Sequence, residues 1–241
     1  MPDSMDGSID VSIVIATYNE GDYLEESVTA IRATMDRTRY AYELILIDDA
    51  STNGTADVVR HLDARSDDRL CAIFHSENQG LGGTVADGIR AARGRYVGFL
   101  DIDLEVHARY IPAMVLALEG GCDVATAFRV YRPDLRHLHR HVLSVGYRAL
   151  SRRLLGHDLL DTETGYKFFH RDSILPVLDQ TLDRGWFWDT EIMVLAQRAG
   201  LRIAEIPCVF TYRYDKSSTV RIFGDVRDYL ANLWRFRKRL K

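Results

Sequence analysis

The chain has 241 residues, 46% hydrophobic and 27% charged, which is the composition of one or two globular domains. That excludes a disordered polymer and a collagen-like fibre. No apolar run nears the roughly 18 residues that mark a membrane-spanning helix, so the chain does not read as an integral membrane protein. The net charge of −4 hides a split: residues 1–128 carry 22 Asp and Glu against 10 Lys and Arg, and residues 129–241 carry 13 against 21. Such asymmetry points to a division of labour or an anionic partner. Cys71, Cys122 and Cys208 show no CxxC spacing, so neither a disulfide framework nor a zinc site is expected, and a cytoplasmic, reducing setting fits. Residues 1–10 are polar and acidic, unlike a signal peptide, and are expected to be disordered.

In chain order, Val11–Ala16 (VSIVIA) is a β-branched apolar run typical of buried parallel strands, and Gly21–Met35 has apolar residues at helical spacing. Strands are predicted at Tyr42–Ile47, Leu70–Phe74, Arg95–Leu100 and Asp123–Ala127. They alternate with helices at Gly54–Ala64, Thr84–Ala92 and Tyr110–Glu119. Alternation at this pitch predicts right-handed βαβ units, hence an α/β fold with a Rossmann-like, mainly parallel sheet flanked by helices. The second half is less regular. Leu135–Leu155 reads as helical and rich in Arg and His, Thr164–Phe169 as a short strand, and Ile174–Leu178 and Thr190–Ala199 as helices. Arg202–Tyr212 reads as extended but interrupted by Pro207, and Asp225–Leu240 as a terminal helix. With no repeat or linker, one continuous domain is expected.

In such sheets ligands sit beyond the carboxyl ends of the strands. After the first strand comes Tyr18-Asn19-Glu20, where Tyr18 can stack on a base or ribose and Glu20 can accept hydrogen bonds, though Asn19 also suits an ordinary helix cap. After the second comes Asp48-Asp49-Ala50-Ser51-Thr52-Asn53-Gly54, readable as a site or as a turn. After the third comes Asn78-Gln79-Gly80-Leu81-Gly82-Gly83, more turn than site. It is not GxGxxG, which argues against a dinucleotide oxidoreductase. After the fourth comes Asp101-Ile102-Asp103-Leu104-Glu105. In extended chain Asp101, Asp103 and Glu105 point the same way and would repel unless a divalent cation, Mg²⁺ or Mn²⁺, sits among them.

These segments together resemble glycosyltransferase family 2 on a GT-A fold, within the dolichol-phosphate mannose synthase and polyprenyl-phosphate glycosyltransferase group. The resemblance runs over Val11–Val220 through ATYNE (16–20), DDASTNGT (48–55), NQGLGGTVADGI (78–89), RYVGFLDIDLE (95–105), DTETGYKFF (161–169), FWDTEIMVLAQRAG (187–200) and AEIPCVFTYR (204–213). It implies inverting transfer from a nucleotide-diphosphate sugar of the GDP-mannose or UDP-glucose type. It assigns Ala16, Tyr18, Glu20, Ile47 and Asp49 to the nucleotide, and Asp101, Ile102 and Asp103 to the diphosphate with Asp101, Asp103 and Glu105 at the metal. Arg129 and Arg213 would meet phosphate groups, Asp161 would lie in the acceptor region and Glu191 beneath the sugar. The chain departs from the family with Ala16 for a usual Pro, Asn53 for a usual Asp, and Ser218-Thr219 where relatives close a loop with Ser-Lys; Lys216 or Arg221 would supply that charge. The implied layout is a GT-A domain over 11–220, with a nucleotide-sugar half (11–128) and an acceptor half (129–220), followed by a basic amphipathic helix at 221–241.

A lipid-phosphate acceptor is expected, because a phosphate oxygen is already ionised near neutral pH and needs positioning and charge neutralisation rather than a base. A soluble sugar or natural-product hydroxyl would need a base, with Asp189 or Glu191 first and Asp161 next. A non-catalytic nucleotide-sugar-binding module is the third reading. Residues 129–157 and Leu230–Lys241, the latter with Trp234, Phe236 and Leu240 among basic residues, form amphipathic patterns suited to peripheral contact with the inner face of a membrane. No nucleic-acid partner is expected, and oligomeric state is left open.

Overall fold

The computed structural model describes residues 8–65, 68–131, 138–211, 213 and 222–241, leaving out the side chains of 138–144 and 222–228. Residues 1–7 of the expected disordered N-terminus, Lys216, Ser218-Thr219 and Arg221 lie outside the described residues. The elements in order are β1 (Val11–Thr17), α1 (Gly21–Met35), β2 (Tyr42–Asp48), α2 (Thr55–Arg65), β3 (Leu70–Phe74), α3 (Gly80–Ala91), β4 (Tyr96–Leu100), a 3₁₀ turn (Ala108–Tyr110), α4 (Ile111–Glu119), β5 (Val124–Tyr131), α5 (Leu138–Leu155), β6 (Tyr166–His170), α6 (Arg171–Leu178), α7 (Trp188–Arg198), β7 (Ile203–Phe210) and α8 (Ile222–Arg239).

The strands form one seven-stranded sheet in the order β3-β2-β1-β4-β6-β5-β7. All neighbours are parallel except β6, which runs antiparallel to both β4 and β5. The mostly apolar, almost wholly buried runs of β1 and β2 follow from cover on both faces. On one face Leu24, Val28 and Ile31 of α1, Val59 of α2 and Met114 of α4 pack on Ile13, Ile15 and Leu44. On the other, Val85 and Ile89 of α3, Ile174 of α6, Trp188 and Ile192 of α7, and Leu233 and Phe236 of α8 pack on Val14, Ile45 and Phe99. The strand order reverses beside β1 and β4, which opens a crevice at their carboxyl ends.

Two local readings are corrected. The glycines at 80–83 do not form a loop before the helix; they are the first turn of α3. A Cβ on Gly82 would lie 2.3 Å from Cβ of Trp188, so the glycine is there for helix-on-helix contact with α7. Pro207 does not interrupt its strand. β7 pairs with β5 through the Phe128–Pro207 register and is the last strand of the sheet, and an edge strand tolerates a residue with no N–H.

Candidate active site

The loops after β1 and β2 are bound to each other. Asn19 sits at φ 58° and Ala50 at φ 59°, a left-handed backbone that non-glycine residues adopt at some cost. Asn19 does not cap its own helix. Its N–H donates to Ser51 Oγ at 2.9 Å and its Oδ1 accepts from the Thr52 N–H at 2.8 Å. Asn53 caps α2 by accepting from the Thr55 N–H at 2.9 Å. Tyr18 is left 45% exposed at the rim, and Ala16 and Glu20 are half-buried beside it. Ile47 is fully buried under α3, so only its backbone can face a ligand.

Asp49 is buried, and its carboxylate accepts from the Gln79 N–H (2.8 Å), the Gly80 N–H (2.9 Å) and His75 Nδ1 (2.8 Å). It therefore holds the start of α3 against the end of β2. Next to it, Thr17 Oγ1 and Asp48 Oδ1 are buried without a hydrogen-bond partner at the paired carboxyl ends of β1 and β2.

Beyond β4 the chain does not stay extended. Leu104 takes φ 51°, its N–H donates to the Asp101 carbonyl at 3.1 Å, and the segment turns. Alternation therefore does not aim three carboxylates at one point. Among the described residues no three His, Cys, Asp or Glu side chains gather closely enough to hold a metal ion. Ile102 faces the core, and its carbonyl accepts from Ser27 Oγ. Asp103 Oδ1 accepts from the Glu105 N–H at 3.3 Å. The Asp101 carboxylate lies directly on Gly165, where a Cβ would come within 2.1 Å of Oδ1, and the Asp101 N–H donates to the Gly165 carbonyl at 2.9 Å. Burial, and then the charges of Asp103 and Asp189, push the Asp101 carboxyl well above the usual carboxylate range, with Lys167 opposing. The buried, raised carboxyl of Asp101, with Asp103 two residues on, is of the chemistry that holds a divalent cation bound by one or two carboxylates plus substrate phosphates.

Across a cavity of about 50 Å³ from Asp101 stands Arg129, with Glu105, Thr164, Gly165, Tyr166 and Phe210 in the remaining wall. Arg129 is gripped by fully buried Asp161 in a forked pair (2.7 and 2.9 Å) and reaches Glu163 at 3.4 Å. Arg148 donates to the same Asp161 oxygen at 2.9 Å, and Glu205 accepts the Leu160 and Asp161 N–H groups. Burial alone would raise the Asp161 carboxyl, but Arg129 and Arg148 hold it below the usual range. Arg213 joins the turn after β4. It donates to the Asp103 carbonyl at 3.4 Å and to Glu26 at 3.2 Å, and lies 4.9 Å from the centre of the Tyr23 ring.

The remaining two carboxylates are also occupied. Asp189 pairs with fully buried Lys167 at 2.5 Å, and burial raises its pKa to about 6 despite that partner. Glu191 accepts the Leu182 and Asp183 N–H groups at 3.0 and 2.7 Å and pairs with Arg239 of α8. It ties loop 182–183 and the terminal helix to α7 and is given no opening towards a substrate by these contacts. Sequence reasoning missed Lys167. A lysine inside the apolar strand Tyr166–His170 was a signal, because a buried ammonium needs a counter-charge. Arg148 is expected from the sequence only as one of the arginines of residues 129–157 suited to an acceptor phosphate, and its pairing with Asp161 is not foreseen there.

A switch-point crevice with carboxylates after β4 on one side and, on the other, an arginine braced on acidic partners is the layout of a GT-A-like fold. The glycosyl transferase family 2 model matches residues 12–176, and the chain belongs to that family. It is 34% identical to glycosyltransferase AglD of Haloferax volcanii over 94% of this chain and 37% of that protein. It is 27% identical to the dolichyl-phosphate beta-glucosyltransferase of Saccharomyces cerevisiae over 84% of this chain and 67% of that protein. It is 30% identical to the undecaprenyl-phosphate 4-deoxy-4-formamido-L-arabinose transferase of Edwardsiella ictaluri over 82% of this chain and 58% of that protein. The chain thus spans between 37% and 67% of these relatives' lengths. In fold it is similar to glucosyl-3-phosphoglycerate synthase of Mycobacterium tuberculosis, solved with Mn²⁺, UDP and glucosyl-3-phosphoglycerate. The TM-score is 0.68 at 20% identity, covering 95% of this chain and 80% of that one.

Proposed function

We propose that this chain moves a hexose, with inversion, from a nucleotide-diphosphate sugar of the GDP-mannose or UDP-glucose type to a polyprenyl-phosphate-like lipid. The observation that carries this reading is the state of the candidate bases. Asp161 is taken by two arginines, Asp189 by Lys167, and Glu191 by two backbone N–H groups and Arg239. A hydroxyl acceptor would need one of them as a base; an ionised phosphate needs none. The lipid-phosphate names of two relatives support the same acceptor class.

In this reading Tyr18, Glu20 and the 49–51 loop meet the nucleoside, with Ala16 and Ile47 contributing backbone. Arg129 and Arg213 neutralise phosphate oxygens and align the acceptor for in-line attack, and the fork of Asp161 fixes the plane of the Arg129 guanidinium beforehand. Asp101 and Asp103 would hold Mg²⁺ or Mn²⁺, which when bound supplies the charge that stabilises the departing diphosphate. Residues 11–128 then serve the donor and 129–220 the acceptor, with Lys216 or Arg221 supplying the charge of the closing loop. A cytoplasmic site at the inner face of a membrane belongs to this proposal, in keeping with three free thiols.

A panel of nucleotide sugars incubated with a polyprenyl phosphate and Mg²⁺ or Mn²⁺, read by mass spectrometry, tests the reading. Sugar-phospholipid product is expected, with turnover lower by at least about a hundredfold in Asp101→Ala and Asp103→Ala at unchanged folding. Transfer to soluble alcohols but not to the lipid phosphate would overturn the acceptor. Donor binding with no product from any acceptor would leave a binding module.

A further inference from the structure

The terminal helix α8 has two unlike faces. Leu233 and Phe236 are buried in the core with Phe187, and Tyr229 and Leu240 pack on the same cluster. Asn232 donates to Asp183, Arg239 pairs with Glu191, and Arg198 donates to the Leu240 carbonyl, so one face is fastened down. Phe236 and Leu240, expected on a lipid-facing side, therefore belong to the protein interior. Leu230 and Trp234, one turn apart, stand 40% and 54% exposed on the opposite flank. Arg237 lies 5.3 Å from the centre of the Trp234 ring, Lys238 follows at helical spacing on that side, and Lys241 comes just after the helix ends. From Tyr229 to Lys241 there is no acidic residue.

An exposed Trp and Leu cost free energy in water, and the basic residues around them repel a like-charged protein surface. Both costs vanish at an anionic bilayer. Indole sits well at the headgroup level, the leucine side chain enters the acyl boundary, and the lysine and arginine stems reach back to lipid phosphates. We infer that the outer face of α8, formed by Leu230, Trp234, Arg237 and Lys238, with Lys241 just past the helix end, docks the chain on an anionic lipid surface. The charge complementarity selects that occupant over a second copy of this chain. The inference deepens the proposed function, since a lipid-phosphate acceptor is presented at such a surface.

The full chain is mixed with phosphatidylcholine vesicles with or without phosphatidylglycerol. Flotation and quenching of tryptophan fluorescence by brominated lipid are read. Binding is expected only with phosphatidylglycerol, and Leu230→Ser/Trp234→Ser should weaken it by at least about tenfold. Lys238→Gln and Lys241→Gln should each weaken it by about fivefold, with binding lost at high salt. Turnover with a short, water-soluble prenyl phosphate should not change in these variants. No binding, or binding indifferent to Leu230→Ser/Trp234→Ser, overturns the inference. So does a concentration-dependent dimer that hides Trp234 without lipid. If vesicle binding fails while the short acceptor is still glycosylated, only the docking surface is wrong; if binding holds while no prenyl phosphate is glycosylated, only the acceptor is wrong.

Discussion

Asp161 is fully buried and shared by Arg129 and Arg148, with the Arg129 guanidinium lying over the rings of Tyr131 and Phe210. The carboxylate is the counter-charge of two buried guanidinium groups. Asp161→Asn keeps the shape and removes the charge, so it should cost about 3–5 kcal/mol, the range for breaking a buried pair, measured by urea denaturation. Combining it with Arg148→Met should recover part of that loss, since the second change removes one of the stranded cations. A cost below about 1 kcal/mol would mean that water already reaches the cluster. Several residues of this site could be picked out beforehand because they follow strands: Asp49, Asp101, Asp103 and Tyr18. What each carboxylate does could not be read, because a carboxylate's role depends on which cation or N–H lies opposite it. Asp49, Asp189 and Glu191 all acquired partners from segments distant in the chain, Glu191 through Arg239.

At the level of elements, alternating apolar runs and helical spacing located every strand and helix of the first half to within a few residues. Those signals are local. The misreadings came where a neighbour decided. Gly82 is helical and needs its missing Cβ because Trp188 of α7 lies against it. Gly82→Ala should therefore overpack this contact and cost about 1–3 kcal/mol, seen as a lower urea midpoint at unchanged slope. Gly146, with open space where its Cβ would go, is the control and should be neutral or slightly stabilising as alanine in a helix. The turn after β4 is a second such case. Hydrogen bonding of Leu104 to Asp101 bends a segment whose residues alone read as extended.

For the molecule as a whole, the acidic first half supplies the carboxylates at the strand ends and the basic second half supplies Arg129, Arg148, Arg213 and the outer face of α8. The sheet joins the halves, since β5 spans their boundary and β6 of the second inserts between it and β4 of the first. His157 gives this assembly a pH limit. It is buried with Ser151 Oγ at 2.8 Å from Nε2 and no partner at Nδ1. Burial, then the charge of Arg152, lowers its pKa to about 4. Its folded pKa lies below the unfolded value near 6.5, so the unfolded chain binds the proton first. Stability from this group is complete above about pH 6.5 and is lost as pH falls towards about 4, at up to about 1.4 kcal/mol per pH unit. Between pH 7 and 5 the protein should lose about 2 kcal/mol more than His157→Gln, measured by denaturant unfolding at each pH. Equal losses would show that His157 is protonated without penalty in the folded chain.

The sequence by itself determined the α/β class, the family and the strand ends where the site must lie, because periodicity and ordered motifs are properties of neighbours along the chain. Only the tertiary structure decided that the chain turns after Asp101 instead of aiming three carboxylates at one point, and that Asp161, Asp189 and Glu191 are each taken by a partner. It alone decided that α8 hides Phe236 and shows Trp234. Those outcomes depend on charges and surfaces brought together from opposite ends of the chain. Pairing and burial set their free energies, and neither is written in any one segment.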